Sequence, residues 1–411
     1  MQIVITCPLI VADEWTDINT LEARVHAWGR QVMAAAFTEL WQQYQRRAPA
    51  CSRCASAHTV ADGYRAYQLR TVFGPVELGR QRRRCRDCGA VYQPLDDQLH
   101  AAGPGRATAG LAEIAVLAGS SWPFATAAWV LTRLSGAPVS AEWIRQLSEQ
   151  AGATLGQQQT DAAEALYTGE VPLPVTTPPP DELLLALDGG WVHSRDNPGG
   201  MEGKVAVIAT GRVRCGRHRW RLTGRRYVAR FQPREPFGAQ VYQAAAAQGI
   251  AQARKVVLLG DGAAWIRSIA ELYFPEAEQR LDLWHLLRRA SEAVAAQEPE
   301  EPVATRLRTE LRSHLCRGAV AEAEQLVHQH LTGPVGQTFA GYLAHQREWI
   351  VDVDTLQAAG EVVGSGAVEK AVDVVLNRRF KGRRGMSWWQ ANADAIAVLR
   401  TQILNTTPVA A

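Results

Sequence analysis

Four cysteines in two pairs, Cys51-Ser-Arg-Cys54 and Cys85-Arg-Asp-Cys88, bracket 30 residues rich in arginine. Two C-x-x-C pairs are the spacing that a tetrahedral Zn²⁺ site needs. Each pair reaches the metal from a tight turn, and the segment between can fold as a hairpin that brings the turns together. Four thiolates leave no open position for chemistry, so such a site is structural. The competing reading is two unrelated redox or disulfide pairs. Cys7, Cys215 and Cys316 are scattered, which argues for a reducing compartment and so for zinc. Arg80, Arg82, Arg83, Arg84 and Arg86 lie beside the second pair. A rigid module carrying that much fixed positive charge suits a phosphate backbone.

A chain of 411 residues is too long for one ordinary core, so two to four domains are expected. With 47% hydrophobic and 21% charged residues, the composition is that of a soluble globular protein. Met1 to Ile10 shows no basic region ahead of an apolar run, and no apolar stretch reaches the roughly 18 residues of a membrane span. The expectation is a cytoplasmic protein without membrane contact. The net charge of +3 hides local asymmetry: nine arginines and no acidic residue lie between Arg212 and Arg234. Arg378-Arg379-Phe380-Lys381-Gly382-Arg383-Arg384 is a further basic run. A single such run reads equally well as a solvated face, but three on a balanced chain point to a polyanion.

Apolar periodicity predicts a helix over 18–48, within an N-terminal segment 1–48. A zinc module follows over 49–100, with Tyr64 to Arg84 as a hairpin turning near Phe73-Gly74-Pro75. Residues 101–168 read as a helix-turn-helix: helices about 107–118 and 123–134, a turn at Ser135-Gly136-Ala137-Pro138, and a helix capped by Ser140. Residues 169–181 are a proline-rich linker. Beyond it Leu183–Leu187 and Lys255–Leu259 read as buried strands ending in Asp188 and Asp261. Trp191-Val192-His193 and Lys204–Ile208 read as the next strands of a meander, and Gln279–Leu283 as a short strand. Residues 286–360 are helical in pattern. Strands with helices between, interrupted by a helical block, imply an α/β domain over 182–285 and 361–405 with an all-α insertion over 286–360.

Asp188 and Asp261 each precede glycine at a strand end, where α/β folds keep their chemistry. Two such carboxylates can share Mg²⁺, which takes hard oxygen ligands and keeps water in its shell. Two ions about 4 Å apart can clamp the attacking and leaving oxygens of a phosphodiester. Asp-Gly is also an ordinary turn signal, so either aspartate alone would be structural. A third carboxylate from a helix would complete the site. Glu369 is the candidate, because Gly364-Ser365-Gly366 leads into its helix; Glu361 and Asp373 compete. Asp282-Leu-Trp-His285 closes a strand ahead of the insertion. Its histidine could orient a carboxylate or contact the scissile phosphate, or simply cap its helix.

The ordered set of strand-Asp188-Gly, strand-Asp261-Gly, Asp282-x-x-His285, a helical block and Gly364-Ser365-Gly366-x-x-Glu369 resembles the DDE transposases of bacterial insertion sequences. The similarity is to the Mutator-like group, whose catalytic fold is RNase H-like. Upstream, the C-x-x-C pair, Phe73-Gly74-Pro75-Val76-x-Leu78-x-Arg80, Cys85-x-x-Cys88-Gly89 and Pro94-Leu95-Asp96 look like the ISKra-type and ISLre-type subgroups. The resemblance covers roughly residues 50 to 400 and departs from the pattern at Asp373-Val-Val-Leu-Asn377-Arg378. It implies Asp188, Asp261 and Glu369 as the DDE triad holding two Mg²⁺, and Asp282 and His285 as an accessory motif. The expectation is a transposase whose zinc and helix-turn-helix modules bind terminal inverted repeats, and whose catalytic domain cleaves one strand and transfers the freed 3′-hydroxyl to target DNA. Arg80, Arg82, Arg83, Arg84, Arg378, Arg379, Lys381, Arg383 and Arg384 would hold DNA. Two ends in one machine imply at least a homodimer on nucleoid DNA. The rivals are a catalytically inactive DNA-binding regulator and a structure-specific nuclease.

Overall fold

The computed structural model describes residues 6–8, 17–46, 50–96, 99, 105–216, 219–297, 300–364, 366–381 and 385–406. It falls into two compact units, Met1–Glu149 and Gln150–Ala411.

In the first unit, helix α1 (Ile18–Arg46) lies on a three-stranded antiparallel sheet of β1 (Thr59–Thr71), β2 (Gly74–Cys85) and β3 (Val91–Tyr92). β1 and β2 are the hairpin expected between the cysteine pairs. Alternation along them buries Tyr67, Leu69, Val76 and Leu78, against which Phe37 and Trp41 of α1 pack. The backbone carbonyl of Gly79 accepts from Trp41 Nε1 at 3.1 Å and from Gln45 Nε2 at 2.8 Å, which fixes the helix on the strand. Helices α2 (Ala109–Ser121), α3 (Phe124–Ser135) and α4 (Ala141–Tyr167) follow. Their small core is Ala115, Ala118, Ala127, Leu131, Ile144 and Leu147. α3 ends where Gly136 turns left-handed at φ 72°, a conformation that costs glycine little. Ser140 Oγ accepts from the Trp143 amide at 3.1 Å, the expected N-cap.

The second unit is mixed α/β. Its five-stranded sheet comprises β4 (Glu182–Val192), β5 (Met201–Ala209), β8 (Arg226–Arg230), β9 (Lys255–Gly260) and β10 (Glu278–Leu281), in the order β10-β9-β4-β5-β8. β4, β9 and β10 run parallel, and β5 is antiparallel to both its neighbours. Between β5 and β8 the chain makes a separate two-stranded ribbon, β6 (Gly211–Gly216) and β7 (Arg219–Thr223). Helices α5 (Arg234–Ala247) and α6 (Ala264–Tyr273) flank β9 in sequence. The insertion is α7 (Leu283–Ala295), α8 (Glu301–Cys316), α9 (Val320–His330), α10 (Pro334–Gln346) and α11 (Val353–Ala358). α12 (Gly366–Val372) then returns to the sheet, passes through a π-helical turn at Asp373–Asn377, and α13 (Gln390–Thr406) closes the unit. Leu183, Leu185 and Leu187 of the sheet share one continuous apolar core with Leu307, Leu311 and Leu343 of the insertion. Each such leucine contributes on the order of 1.5–3 kcal/mol on burial.

Two expectations need correction. Trp191-Val192 is not a separate strand: β4 runs on through Asp188-Gly189-Gly190 to Val192, because β5 keeps pairing with it as far as Met201 opposite Val192. Nor does the 169–181 segment separate the units. The boundary falls inside α4, whose second half belongs to the second unit. Gly152 and Gly156 bare that half of the helix, so Ala395 of α13 and the Arg230 guanidinium come against it. Thr176 of the proline-rich segment donates its amide to Gln252 Oε1 at 2.7 Å, within the second unit. No described helix is long and apolar enough to cross a membrane.

Candidate metal and active centres

The hairpin brings the four cysteines together as their spacing requires. All four Sγ atoms lie within 4.8 Å of one another. Cys51 and Cys88 are 3.7 Å apart, and Cys54 and Cys85 are 3.6 Å apart. A tetrahedral shell with Zn–S bonds of about 2.3 Å has edges of about 3.8 Å, so the donor geometry fits Zn²⁺. Ser56 and His58 of the first turn bond Asp87 of the second, locking the turns face to face. The Cys88 amide lowers the Cys85 thiol to about 7, with burial opposing it and the Asp87 amide assisting. The Ser56 amide acts the same way on Cys54, but the crowding thiols of Cys88, Cys85 and Cys51 outweigh it and push Cys54 up to about 12.

The second centre forms on one edge of the α/β unit. In the β4–β9 ladder Ala186 faces Leu259, so two residues further on Asp188 stands beside Asp261. The ladder has ended there, and both carboxylates emerge where the strands part. Burial pushes the Asp188 carboxyl up to about 6, the Gly189 amide opposes, and the charges of Asp261 and Glu369 push further up. Asp282 is buried, caps α7 by accepting from the His285 amide at 2.9 Å, and lies 3.0 Å from His285 Nδ1. That contact with Asp282 raises the His285 pKa; burial opposes it, and Asp261 and Asp188 add to the rise. The carboxylates around His285 therefore favour its protonated form.

α12 supplies Glu369, and bare glycines explain its approach. Gly190 and Gly203 are cross-strand neighbours on β4 and β5. A Cβ on either would meet Leu376 within about 3 Å. The close seating sets Glu369 over the site. Donor atoms of Asp282, His285 and Glu369 lie within 4.8 Å of one another, the one oxygen-rich cluster of this kind among the described residues. Asp188 and Asp261 face that cluster from outside this span. Asp188 Oδ1 accepts from the Gly189 amide at 2.7 Å, and Asp261 Oδ1 from the Ala263 amide at 2.9 Å. The competing carboxylates go elsewhere. Glu361 takes Lys255 Nζ at 2.7 Å and the buried Arg280 guanidinium. Burial opposes its charge, but Lys255 and Arg280 hold its carboxyl below the usual range. Asp373 pairs with Lys370 and Arg378 at 3.0 and 3.1 Å. The departure at Asp373–Asn377 falls on the π-helical turn, where one extra residue per turn shifts every later side chain around the helix.

Sequence reasoning missed the supports of the Asp261 turn. Tyr342 of α10 donates to the Asp261 carbonyl at 3.1 Å, and Gln346 Nε2 to the Gly262 carbonyl at 2.8 Å. Gly262 is left-handed at φ 83° and packed against Gln346, so both conformation and space require glycine. These partners lie 81 and 84 residues apart in sequence, and no local pattern signals them.

The arginines divide. Arg80 pairs with Gln93 and Asp96, Arg83 with the Thr59 carbonyl, and Arg82 and Arg84 share Asp62 at 3.0 and 3.3 Å. They stitch the cysteine-bearing hairpin, and of these four only Arg84 keeps half its side chain, 54%, in solvent. Arg379 overturns its expected role. It is 1% exposed with its guanidinium 4.8 Å from the Trp388 ring centroid, a core cation that no DNA strand reaches. Arg378 and Lys381 are exposed, while Arg383 and Arg384 lie outside the described residues. On α4 Arg145 is bound to Glu142 and Glu149, so the first turns of that helix are charge-balanced rather than basic.

These features define a two-part protein: a four-cysteine module and an α/β unit with a carboxylate–histidine edge. The chain belongs to the uncharacterised protein family UPF0236, whose profile matches residues 11–329. The match spans the thiolate tetrad, Asp188, Asp261, Asp282 and His285, and ends before Glu369. No curated protein matches the chain.

Proposed function

We propose that this protein is a DNA transposase of the DDE type, with an RNase H-like catalytic domain formed by the mixed sheet and an all-α insertion. The observation that carries this reading is the convergence of Asp188, Asp261 and Glu369, from three separated stretches of chain, on Asp282 and His285. The order β10-β9-β4-β5-β8, with β4 central and β5 alone reversed between β4 and β8, suits the RNase H-like assignment.

Hard oxygen donors from Asp188, Asp261 and Glu369 fit Mg²⁺, which would supply charge to a phosphodiester and acidity to a bound water. The chain's own residues then have separable roles. Asp188 and Asp261 hold fixed negative oxygens on a rigid parallel pair. Glu369 brings the third across from α12. His285, whose protonated form Asp282 favours, would present a proton donor to a phosphate oxygen. A site of this kind works by positioning and preorganised charge, with no covalent nucleophile from the protein. The zinc module and the α2–α4 helices would recognise the terminal inverted repeats, Arg84, Arg378 and Lys381 would contact backbone, and two DNA ends would call for a dimer working on nucleoid DNA.

The test is cleavage of DNA carrying the element's own ends, with and without Mg²⁺. Nicking at the ends that depends on Mg²⁺ and is lost in Asp188→Asn, Asp261→Asn and Glu369→Gln supports the reading. Cleavage that survives all three changes refutes it. End-specific binding by a wild-type protein that never cleaves would instead favour the regulator.

A further inference from the structure

The edge strand β10 buries an arginine. Arg280 is 1% exposed, and a guanidinium is tolerated at that depth only when its donors are matched. Its Nε donates to Glu278 at 2.7 Å, its Nη2 meets Glu361, and its Nη1 donates to the Val362 carbonyl at 2.9 Å. Lys255 of β9 closes the cluster from the neighbouring strand, with Nζ 2.7 and 2.8 Å from the two Glu361 oxygens. Glu361 and Val362 belong to no strand. They lie in the irregular segment that joins the insertion to α12. Two strands of the sheet therefore grip a side chain and a carbonyl of that segment, 81 and 82 residues from Arg280 in sequence.

The grip lies in line with the acidic centre. Asp282 keeps extended backbone angles and donates its amide to the Gly260 carbonyl at 2.8 Å, so it continues the β10 ladder. Two residues apart on one strand, Arg280 and Asp282 share a face. Gly364 lies against Asp282, since a Cβ there would stand 3.9 Å from Asp282 Oδ2. The segment thus passes β10 with Val362 at Arg280 and Gly364 at Asp282, and α12 begins at Gly366 with Glu369 in its first turn. Further along, Val368, Ala371, Val372 and Leu376 bury apolar surface against the sheet side. Such burial is non-directional. It holds the helix down without fixing its advance along its own axis. The hydrogen bond and ion pairs upstream are directional, and they fix where the helix starts. A ligand must sit within about 0.5 Å of its place to serve a metal, so that start matters to Glu369.

We propose that Arg280, with Glu361 as its partner, is a positioning residue for the third carboxylate: it fixes the start of α12 and so the reach of Glu369 to a divalent cation shared with Asp188 and Asp261. The inference rests on the transposase reading and adds to it what sets the metal affinity of the site. It also gives Glu361 a part. The acidic residue that Lys255 and Arg280 draw away from the centre ties down the helix that carries Glu369 into it.

The test is Mn²⁺ binding by the full-length protein, read as loss of the free-ion signal in electron paramagnetic resonance, without DNA or Mg²⁺. Mn²⁺ accepts the same oxygen ligands as Mg²⁺. Arg280→Lys keeps a positive charge beside Glu361 and Glu278 but gives up the planar fork that also reaches Val362. It should weaken Mn²⁺ binding about ten-fold, the usual size for losing a residue that orients a ligand. Glu369→Gln should weaken it at least as much. The double variant should bind no more weakly than Glu369→Gln alone, because a clamp acting through Glu369 has nothing to position once that carboxylate is gone. Lys255→Gln, at a partly exposed position, frees Glu361 from the other side. It should weaken Mn²⁺ by a smaller factor, again only with Glu369 present, and it decides the matter should circular dichroism show Arg280→Lys unfolded. Unchanged affinity in a folded Arg280→Lys protein overturns the proposal. So does a weakening that persists in full on the Glu369→Gln background, which is what a general loosening of the unit would give. Glu369→Gln binding Mn²⁺ like wild type removes Glu369 from the triad and the transposase reading with it. Glu369→Gln weakened with Arg280→Lys unchanged removes the clamp alone.

Discussion

Asp188→Asn tests the electrostatics of the acidic centre without needing any DNA. Burial, assisted by Asp261 and Glu369, raises the Asp188 carboxyl from 3.8 to about 6. The sign follows from linkage. A carboxyl whose folded pKa lies above its unfolded one stabilises the fold fully below pH 3.8, and that contribution is lost as pH rises through about 6. Two units and a little more, at 1.36 kcal/mol each, set the loss at about 3 kcal/mol at pH 7.5, with about half of it already present at pH 5. Asparagine removes the charge and keeps the oxygen that accepts from the Gly189 amide at 2.7 Å. In EDTA at pH 7.5 the variant should therefore be more stable than wild type by up to about 3 kcal/mol, and by about half that at pH 5. The assay is denaturant unfolding of the full chain across this pH range. Adding Mg²⁺ should reverse the order, because the cation stabilises only the protein that still holds its ligands. An Asp188→Asn protein that is less stable than wild type in EDTA at pH 7.5 would show that its surroundings do not disfavour the Asp188 charge, and the electrostatic argument for a cation at this carboxylate would fall.

Four further outcomes follow. Purified protein should carry one Zn²⁺ on Cys51, Cys54, Cys85 and Cys88, with X-ray absorption giving four sulfurs at about 2.3 Å, and Cys51→Ser should lose both metal and the hairpin; a folded, zinc-free wild type refutes this. Glu369→Gln should abolish cleavage in a stably folded protein. Glu361→Gln should instead destabilise by about 2 kcal/mol in thermal unfolding, because Arg280, 1% exposed, is left with Glu278 as its one carboxylate partner. Arg84→Ala should lower the salt slope of DNA binding by roughly one while Arg83→Ala loosens the hairpin, since only the former side chain faces solvent freely; equal slopes in both would contradict that division. Arg379→Ala should cost stability and Arg378→Ala should not, as melting temperatures will show, because the first lies against Trp388 in the core and the second in solvent.

Much of this was legible in the chain. The two C-x-x-C pairs, the hairpin between them, the Ser140 cap, the two buried strands ahead of Asp188 and Asp261, and the helical block all follow from local spacing or periodicity. What sequence could not supply was pairing over distance. It favoured Glu369 for the glycines leading into its helix but left Glu361 and Asp373 as competitors, since each is an acidic residue near the same glycines. It counted Arg379 among DNA contacts because a run of basic residues does not say which member turns inward.

The sequence by itself determined the chemistry on offer: four soft thiolates at metal spacing, and acidic residues set just beyond apolar strands. The tertiary structure alone decided which carboxylates share a centre. Salt bridges drew Glu361 to Lys255 and Arg280, and Asp373 to Lys370 and Arg378. The bare surface of Gly190 and Gly203 let α12 seat Glu369 beside Asp282 and His285. The physical reason is that side-chain identity is local, whereas burial and Coulomb partners are set by elements that meet only when the sheet and its insertion close on one core.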